Sequence, residues 1–329
     1  MDLSIVVPVY NEEENIPLLH DALIAVMTPL SITWEAVLVD DGSRDQSARL
    51  LEDLAQKYPE HFRAVLLRRN FGQTAAIAAG IDHSCGDVVI LMDADLQNDP
   101  QDIPMMLEKI NEGYDVVSGW RARRKDDFLT RTLPSKLANG LISWVTGVHL
   151  HDYGCTLKAY RREVITGYRL YGEMHRFIPV YANSVGAKIL EVPVHHHPRK
   201  FGKAKYGLER TFKVVLDLFT VKFLSSYSNK PIYLFGGTGL VLVLLSGLVL
   251  LYLAIRRIFW GVPVLESPFF QMSTMIFILG FQSILMGLIA ELQVRTYHES
   301  QDKPTYTVRK TVGFSSRDVV DNSSTTNRE

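Results

Sequence analysis

Val88-Val-Ile-Leu-Met-Asp-Ala-Asp-Leu-Gln97 is an apolar run that ends abruptly in two carboxylates one residue apart. Alternation along an extended chain puts Asp93 and Asp95 on one side of a strand end, and Gln97 joins them where the chain turns. Two carboxylates and an amide oxygen form a small cluster of hard ligands. Mg2+ and Mn2+ take such ligands and usually share them with substrate phosphates, so the cluster points to a metal-bridged diphosphate and not to an all-protein cage. The same Asp-x-Asp spacing also serves as a turn or a helix cap, and the flanking chain has to decide between these uses.

Working outward, Leu3–Val9, Trp34–Val39, Ala64–Arg68 and Val88–Met92 are short apolar runs, separated by amphipathic helical patterns around Glu13–Met27, Ser43–Lys57 and Gln73–His83. This alternation predicts βαβ units, hence an α/β domain with a mostly parallel sheet flanked by helices. In open sheets of this kind, ligands gather beyond the carboxyl ends of the strands. The first strand runs into Val7-Pro-Val-Tyr-Asn-Glu12 and the second into Val39-Asp-Asp-Gly-Ser43. Tyr10 is placed to cover a base or ribose, Glu12 to accept from ribose hydroxyls, and Asp40 to accept from a base N–H. The local alternative for Asp40-Asp-Gly-Ser43 is a turn with a helix cap supplied by Ser43 or Asp41.

The 329 residues carry a net charge of −1, which argues against a nucleic-acid footprint. Cys85 and Cys155 are the only cysteines. Their contexts lack Cys-x-x-Cys or zinc spacing, so no disulfide framework is expected and both read as small buried hydrophobes. Met1–Pro8 lacks a basic n-region and is broken early by proline, so the N-terminal part is expected to fold in the cytosol. His195, His196 and His197 are neighbours in an extended segment; at most His195 and His197 share a face, which makes a metal site there a poor expectation.

Composition shifts near Lys230. Beyond it lie two long uncharged spans, Ile232–Ile255 and Phe269–Ala290. A hydrocarbon core of about 30 Å needs about 20 helical residues, so each is long enough to cross, and together they form a hairpin joined by Arg256–Pro268. Lys222 and Lys230 precede the first span, and Arg295, Lys303, Arg309 and Lys310 follow the second. They outnumber Arg256 and Arg257 in the connection, so both ends are expected on the cytosolic side. Leu208–Ser226 sets Arg210, Lys213, Asp217 and Thr220 against Phe212, Val215, Leu216, Phe219 and Phe223, the pattern of an interfacial helix or of a helix packed on its own domain. The tail from Ser315 is polar and without apolar periodicity, and is expected to be disordered.

Four ordered motifs, Val6-Val-Pro-Val-Tyr-Asn-Glu-Glu13, Val39-Asp-Asp-Gly-Ser43, Arg69-Asn-Phe-Gly-Gln73 and Asp93-Ala-Asp-Leu-Gln97, together resemble a family 2 glycosyltransferase of the GT-A fold. More narrowly, they resemble its polyprenyl-phosphate branch, which includes the dolichol-phosphate mannose synthases and the GtrB-type bactoprenol glucosyltransferases. The resemblance covers about residues 3–210, and the two-span tail is similar to the GtrB-type members. The Gln-x-x-Arg-Trp signature of processive polymer synthases is absent from the sequence.

The resemblance implies that Asp93, Asp95 and Gln97 bind Mg2+ or Mn2+ and that Pro8, Tyr10, Glu12 and Asp40 hold the nucleoside. It also implies that Arg121, Arg131 and Ser135 take the acceptor phosphate. Arginine gives charge-assisted and often bidentate bonds to phosphate, although a basic run such as Arg121–Lys125 also serves as a solvated loop. Leu137–Val145, with Trp144, offers apolar residues to a lipid interface. Asp152 matches the family's acceptor-side aspartate. Because a phosphate monoester has a second pKa near 6, it is already a competent nucleophile, so Asp152 is expected to orient the acceptor or nearby cations more than to remove a proton. Arg199 and Lys205 resemble the basic loop that closes over the donor diphosphate.

The implied activity is inverting transfer of one sugar, with UDP-glucose as the favoured donor, to undecaprenyl phosphate at the cytosolic face of the plasma (inner) membrane. GDP-mannose and a UDP-aminoarabinose derivative are the alternative donors, and a catalytically silent scaffold is the rival from another class. The domain expectation is a cytosolic catalytic domain over 1–207, an interfacial helix and linker over 208–230, a hairpin over 231–294 and a cytosolic tail over 295–329. Expected partners are the nucleotide sugar, the polyprenyl phosphate and the membrane, with self-association through the hairpin and a downstream flippase as further candidates, and no nucleic acid.

Overall fold

The computed structural model describes residues 1–122, 139–140, 142–143, 146–166, 170, 174–198, 232–261, 263–264, 267–300 and 305–314. The chain divides into two units, Met1–Val221 with Lys303–Glu329, and Lys222–Asp302. The expected interfacial helix at 208–226 and the tail from Ser315 lie outside the described residues.

Eight strands make up the sheet of the first unit: β1 (Leu3–Val9), β2 (Trp34–Asp40), β3 (Phe62–Leu67), β4 (Val88–Leu91), β5 (Val116–Trp120), β6 (Lys158–Arg161), β7 (Ile189–Pro193) and β8 (Val308–Val312). Their order is β7-β5-β6-β4-β1-β2-β3-β8. β1 lies parallel to β2 and β4, β2 to β3, and β5 to β7. β6 runs antiparallel between β4 and β5, and β8 antiparallel along β3. All of β1 except Pro8 is buried, as befits a central strand covered on both faces, and this explains its near-continuous apolar sequence. Helices α1 (Ile16–Met27), α2 (Ser47–Lys57), α3 (Gln73–Asp82) and α4 (Ile103–Asn111), followed by the shorter α5 (Arg162–Ile165) and α6 (Ile178–Ser184), complete the α/β arrangement. The four strands and three helices expected between residues 3 and 92 form with small shifts at their ends.

β8 was not anticipated. It lies within the tail expected over 295–329, it closes the β3 edge, and its side chains are specifically engaged. Lys310 Nζ donates to Glu52 Oε2 on α2 at 2.5 Å, and the Tyr306 hydroxyl donates to Asp82 Oδ2 at the end of α3 at 2.8 Å. Phe314 lies under the Arg63 guanidinium, and the Arg68 N–H donates to the Thr307 carbonyl at 3.0 Å. An uncovered strand edge would present unpaired backbone groups, and this strand removes that liability from β3.

The second unit is a pair of long helices, α7 (Ile232–Trp260) and α8 (Pro268–Ser300). Phe235–Trp260 and Pro268–Ala290 are long and apolar enough to cross a membrane. Leu244, Leu248, Met275 and Leu279 are exposed on their surfaces, an apolar exterior that suits lipid better than water. The helices approach closely where Gly239 and Gly280 meet: a Cβ on Gly239 would lie 2.5 Å from the Gly280 carbonyl oxygen. Ser283 Oγ donates to the Phe235 carbonyl at 2.8 Å nearby. Small residues and a hydroxyl at the crossing are the usual means of holding helices together in hydrocarbon, where no hydrophobic force does so.

Of the two cysteines, Cys155 is buried as expected, but Cys85 is exposed. Its position before the β4 turn explains the difference: Cys85 Sγ donates to Glu35 Oε1 at 3.2 Å in place of packing in the core.

Candidate active site

Because β1 to β5 point their carboxyl ends the same way and β6 starts at that edge, the segments after β1 to β5 and the segment before β6 converge there. Side chains then stitch these segments together. After β1, the Asn11 N–H donates to Ser43 Oγ at 2.9 Å, and the Glu12 N–H donates to Ser47 Oγ at 2.9 Å. Asn11 and Leu96 are the non-glycine residues with positive φ, at 52° and 58°, among the described residues. Both lie on this rim, where backbone strain tends to collect at functional sites.

Asp41 and Ser43 do not cap α2. Ser43 is committed to the β1 loop, and Asp41 reaches the β3–α3 loop, accepting from the Phe71 N–H at 2.7 Å and the Gly72 N–H at 3.0 Å. Asp45 instead accepts from the Ser47 N–H that opens the helix, at 3.0 Å. Gly42 is required here, since its φ of 67° and the adjoining Arg69–Asn70 backbone leave no room for a Cβ. Burial pushes the Asp41 carboxyl up to about 6 against the pull of the two amides, and Asp40 is also raised by burial. Asp40 itself is only 1% exposed and accepts from the Ser43 N–H, so it shapes the turn after β2; Tyr10 and Glu12, after β1, are half-buried.

β4 stops at Leu91, two residues before the carboxylate pair, which therefore sits in a turn and not on the strand end proper. Asp93 is held on both oxygens. Gln73 Nε2 donates to Oδ1 at 2.8 Å and Thr156 Oγ1 to Oδ2 at 2.5 Å. Asp95 Oδ1 accepts from the Gln97 N–H at 3.2 Å. Burial, and then the Asp95 charge, raises the Asp93 pKa above the usual carboxylate range. Two like charges forced together out of water form a place where a cation is electrostatically favoured, and two carboxylates with an amide oxygen suit a hard divalent ion. Among the described residues no group of three His, Cys, Asp or Glu is placed to hold a metal ion by itself.

Neither Gln73 nor Thr156 was singled out from sequence as a partner of Asp93. Gln73 does end the Arg69-Asn-Phe-Gly-Gln73 motif, whereas nothing in Gly154-Cys-Thr156 signals that contact. Thr156→Val is expected to lower turnover about tenfold, since a hydrogen bond to a charged group is worth about 1.5–3 kcal/mol. Steady-state rates at saturating Mg2+ check this, and wild-type rates would show that Thr156 does not hold Asp93 in place.

On the other side, Arg121 follows β5 and grips Asp152 with both arms, Nε to Oδ2 at 2.7 Å and Nη2 to Oδ1 at 3.0 Å. Asp152 is 1% exposed, and its Oδ1 also accepts from the Gly154 N–H at 3.1 Å. Glu191 on β7 accepts from the N–H groups of His151 and Asp152, fixing the segment from the far side. His195 pairs with Asp102 at 2.7 Å and His197 with Asp99 at 2.8 Å, so these rings bind separate carboxylates. Pro8 lies near the end of β1 opposite Val39. Arg131, Ser135, Trp144, Arg199 and Lys205 lie outside the described residues.

Residues 4–168 match the domain described as glycosyl transferase family 2. A dodecaprenyl-phosphate galacturonate synthase of Rhizobium johnstonii is 42% identical over 94% of this chain and 93% of the relative. The chain belongs to glycosyl transferase family 2. An undecaprenyl-phosphate 4-deoxy-4-formamido-L-arabinose transferase of Pectobacterium atrosepticum is 40% identical, with 94% of each chain covered. Among solved structures, glucosyl-3-phosphoglycerate synthase from Mycobacterium tuberculosis, in complex with Mn2+, UDP and phosphoglyceric acid, superposes with a TM-score of 0.53 at 16% identity. That match covers 68% of this chain and 78% of that one and shows a shared fold. The family 2 sheet, with its carboxylates at the carboxyl edge, is thus the GT-A arrangement the motifs implied.

Proposed function

We propose that this chain moves one sugar from a nucleoside diphosphate onto a polyprenyl phosphate at the cytosolic face of the inner membrane, with Mg2+ or Mn2+ at Asp93, Asp95 and Gln97. The observation that carries the reading is the meeting, at one sheet edge, of a carboxylate cluster suited to a metal-bound diphosphate and the part-exposed Arg121 paired with buried Asp152. The names of the 42% and 40% identical relatives supply the lipid-phosphate acceptor. The two helices suited to a membrane supply the means of reaching it.

In this reading Pro8, Tyr10 and Glu12 hold the nucleoside above the Asp40 turn, and Arg199 and Lys205 close on the diphosphate. Arg131 and Ser135 take the acceptor phosphate. When bound, the divalent ion stabilises negative charge on the leaving diphosphate. The acceptor oxygen attacks the anomeric carbon from the opposite face and inverts it, so an α-linked donor gives a β-linked product. Asp152 has both oxygens committed to Arg121, which favours a role in orienting that cation over proton removal. A phosphate that is largely dianionic at neutral pH needs no strong base.

UDP-glucose as donor rests on the family resemblance alone and on no residue of the site, while the relatives' names favour galacturonate or 4-deoxy-4-formamido-L-arabinose. The test is to incubate the purified chain and undecaprenyl phosphate with UDP-glucose, UDP-galacturonate, the UDP-formamidoarabinose and GDP-mannose, then weigh the glycolipid by mass spectrometry. Absence of any metal-dependent glycolipid would leave the silent scaffold. Arg131→Ala is expected to raise KM for the lipid phosphate tenfold or more while leaving donor KM within about twofold, because a phosphate fork is lost on the acceptor side alone. A donor defect with unchanged acceptor dependence would move Arg131 to the diphosphate.

A further inference from the structure

Lys158, the first residue of β6, is 2% exposed. Its register places it between Leu91, the last residue of β4, and Ser118 of β5, so it lies in the sheet directly beneath the segments that carry Asp93 and Arg121. Its ammonium donates to the Tyr153 carbonyl at 3.1 Å and the Cys155 carbonyl at 2.6 Å. Among the described residues it makes no hydrogen bond to a carboxylate. A cavity of about 10 Å3, room for about one water, adjoins it and is lined by Tyr153, Gly154, Cys155, Thr156, His175 and Arg176. A sheet interior needs no charge for packing, and an ammonium left there is costly, so what it holds has to account for its presence.

What it holds is the segment 152–156. At one end of that segment Asp152 grips Arg121, and at the other Thr156 grips Asp93. We propose that Lys158 is a positioning residue for sugar transfer, whose ammonium clamps the Tyr153 and Cys155 carbonyls and so aligns the acceptor-side pair with the metal-side carboxylate. The proposal rests on the reading of the site given above.

The groups facing this nitrogen are Asp152, Tyr153 and Cys155 on the preceding loop, Arg121 after β5, and His175 and Arg176 on the turn before α6. Burial lowers the Lys158 pKa to about 8; the Asp152 carboxylate acts against the shift, and Arg176 and Arg121 reinforce it. The Cys155 thiol is itself pushed up to about 11 by burial and stays neutral in this range. Below pH 8 the clamp is therefore a charged donor. Above it, two weaker uncharged donors remain.

The experiment measures UDP binding in the presence of Mg2+ by calorimetry, and transfer rates, for the full-length wild type, Lys158→Arg and Lys158→Met at pH 7 and pH 9. Wild-type affinity and rate are expected to fall severalfold at the higher pH, while Lys158→Arg, charged throughout, holds its pH 7 values. Lys158→Met is expected to lose tenfold or more at both pH values without a lower Tm. A decline at pH 9 shared equally by Lys158→Arg belongs to the ligand or the metal and overturns the proposal, as does a methionine variant that binds and turns over like wild type. Should the methionine variant fail to fold, the comparison of wild type with Lys158→Arg decides alone. UDP binding that follows this pattern in a chain that makes no glycolipid would retain the positioning role and remove the transfer reading.

Discussion

Asp95→Ala is expected to lower sugar transfer by about a thousandfold while the chain stays folded, the scale seen when one group that stabilises transition-state charge is removed. Asp95 shares its site with Asp93, and its charge is one of the causes that raise the Asp93 pKa. Deleting it relieves a like-charge repulsion, which offsets the loss of the long hydrogen bond from the Gln97 N–H. A divalent ion held in the proposed site would lose one of its two carboxylates, and with it the charge it would supply to the leaving diphosphate. The measurement is glycolipid formation together with Mn2+-dependent UDP binding and a thermal melt. A mutant that turns over like wild type, or a native enzyme fully active in chelator, would remove the metal from the reaction.

Ending the chain at Lys230 is expected to cost more than membrane attachment. It deletes β8 and with it the Lys310–Glu52 and Tyr306–Asp82 contacts and the Thr307 carbonyl that holds the Arg68 N–H. Arg68 leads directly into the loop whose Phe71 and Gly72 amides bind Asp41 and whose Gln73 binds Asp93, so loss of the strand loosens the candidate metal site. The truncated chain is expected to aggregate along its bare β3 edge and to lose UDP binding. Splicing 303–314 back through a flexible linker is expected to restore UDP binding and turnover of a short, water-soluble prenyl phosphate, but not of long-chain acceptor in liposomes. If the unspliced truncation binds UDP normally, β8 is dispensable. If the spliced form matches the full chain on liposomes, the hairpin does not position the site, and self-association or a flippase becomes its assigned role.

The parts legible in the sequence were those in which one signal dominates. β1 to β4 are largely buried and so appear as mostly apolar runs, and the two lipid-suited helices are long enough to announce themselves. β6 and β8 were not legible: Lys158-Ala-Tyr-Arg161 is too short to show a period, and Val308-Arg-Lys-Thr-Val312 is mostly polar because its charged residues serve an edge. In the site, Asp93 and Asp95 were visible as a spacing. The roles of Thr156, Gln73 and Asp41 were not, because each acts on a partner from another loop, a relation set by topology and not by local pattern. Asp41 shows how a local rule yields: an Asp before a helix is a ready cap, yet here the β3–α3 amides needed it more.

β8 also gives the order of synthesis a consequence. Lys310 and Glu52 are 258 positions apart, and both long apolar helices are made between them. The sheet of the first unit therefore keeps one edge open until the chain beyond both long apolar helices has been made. A chain cut short anywhere before Val312 therefore leaves the β3 edge bare, and a bare edge is where other chains and chaperones attach.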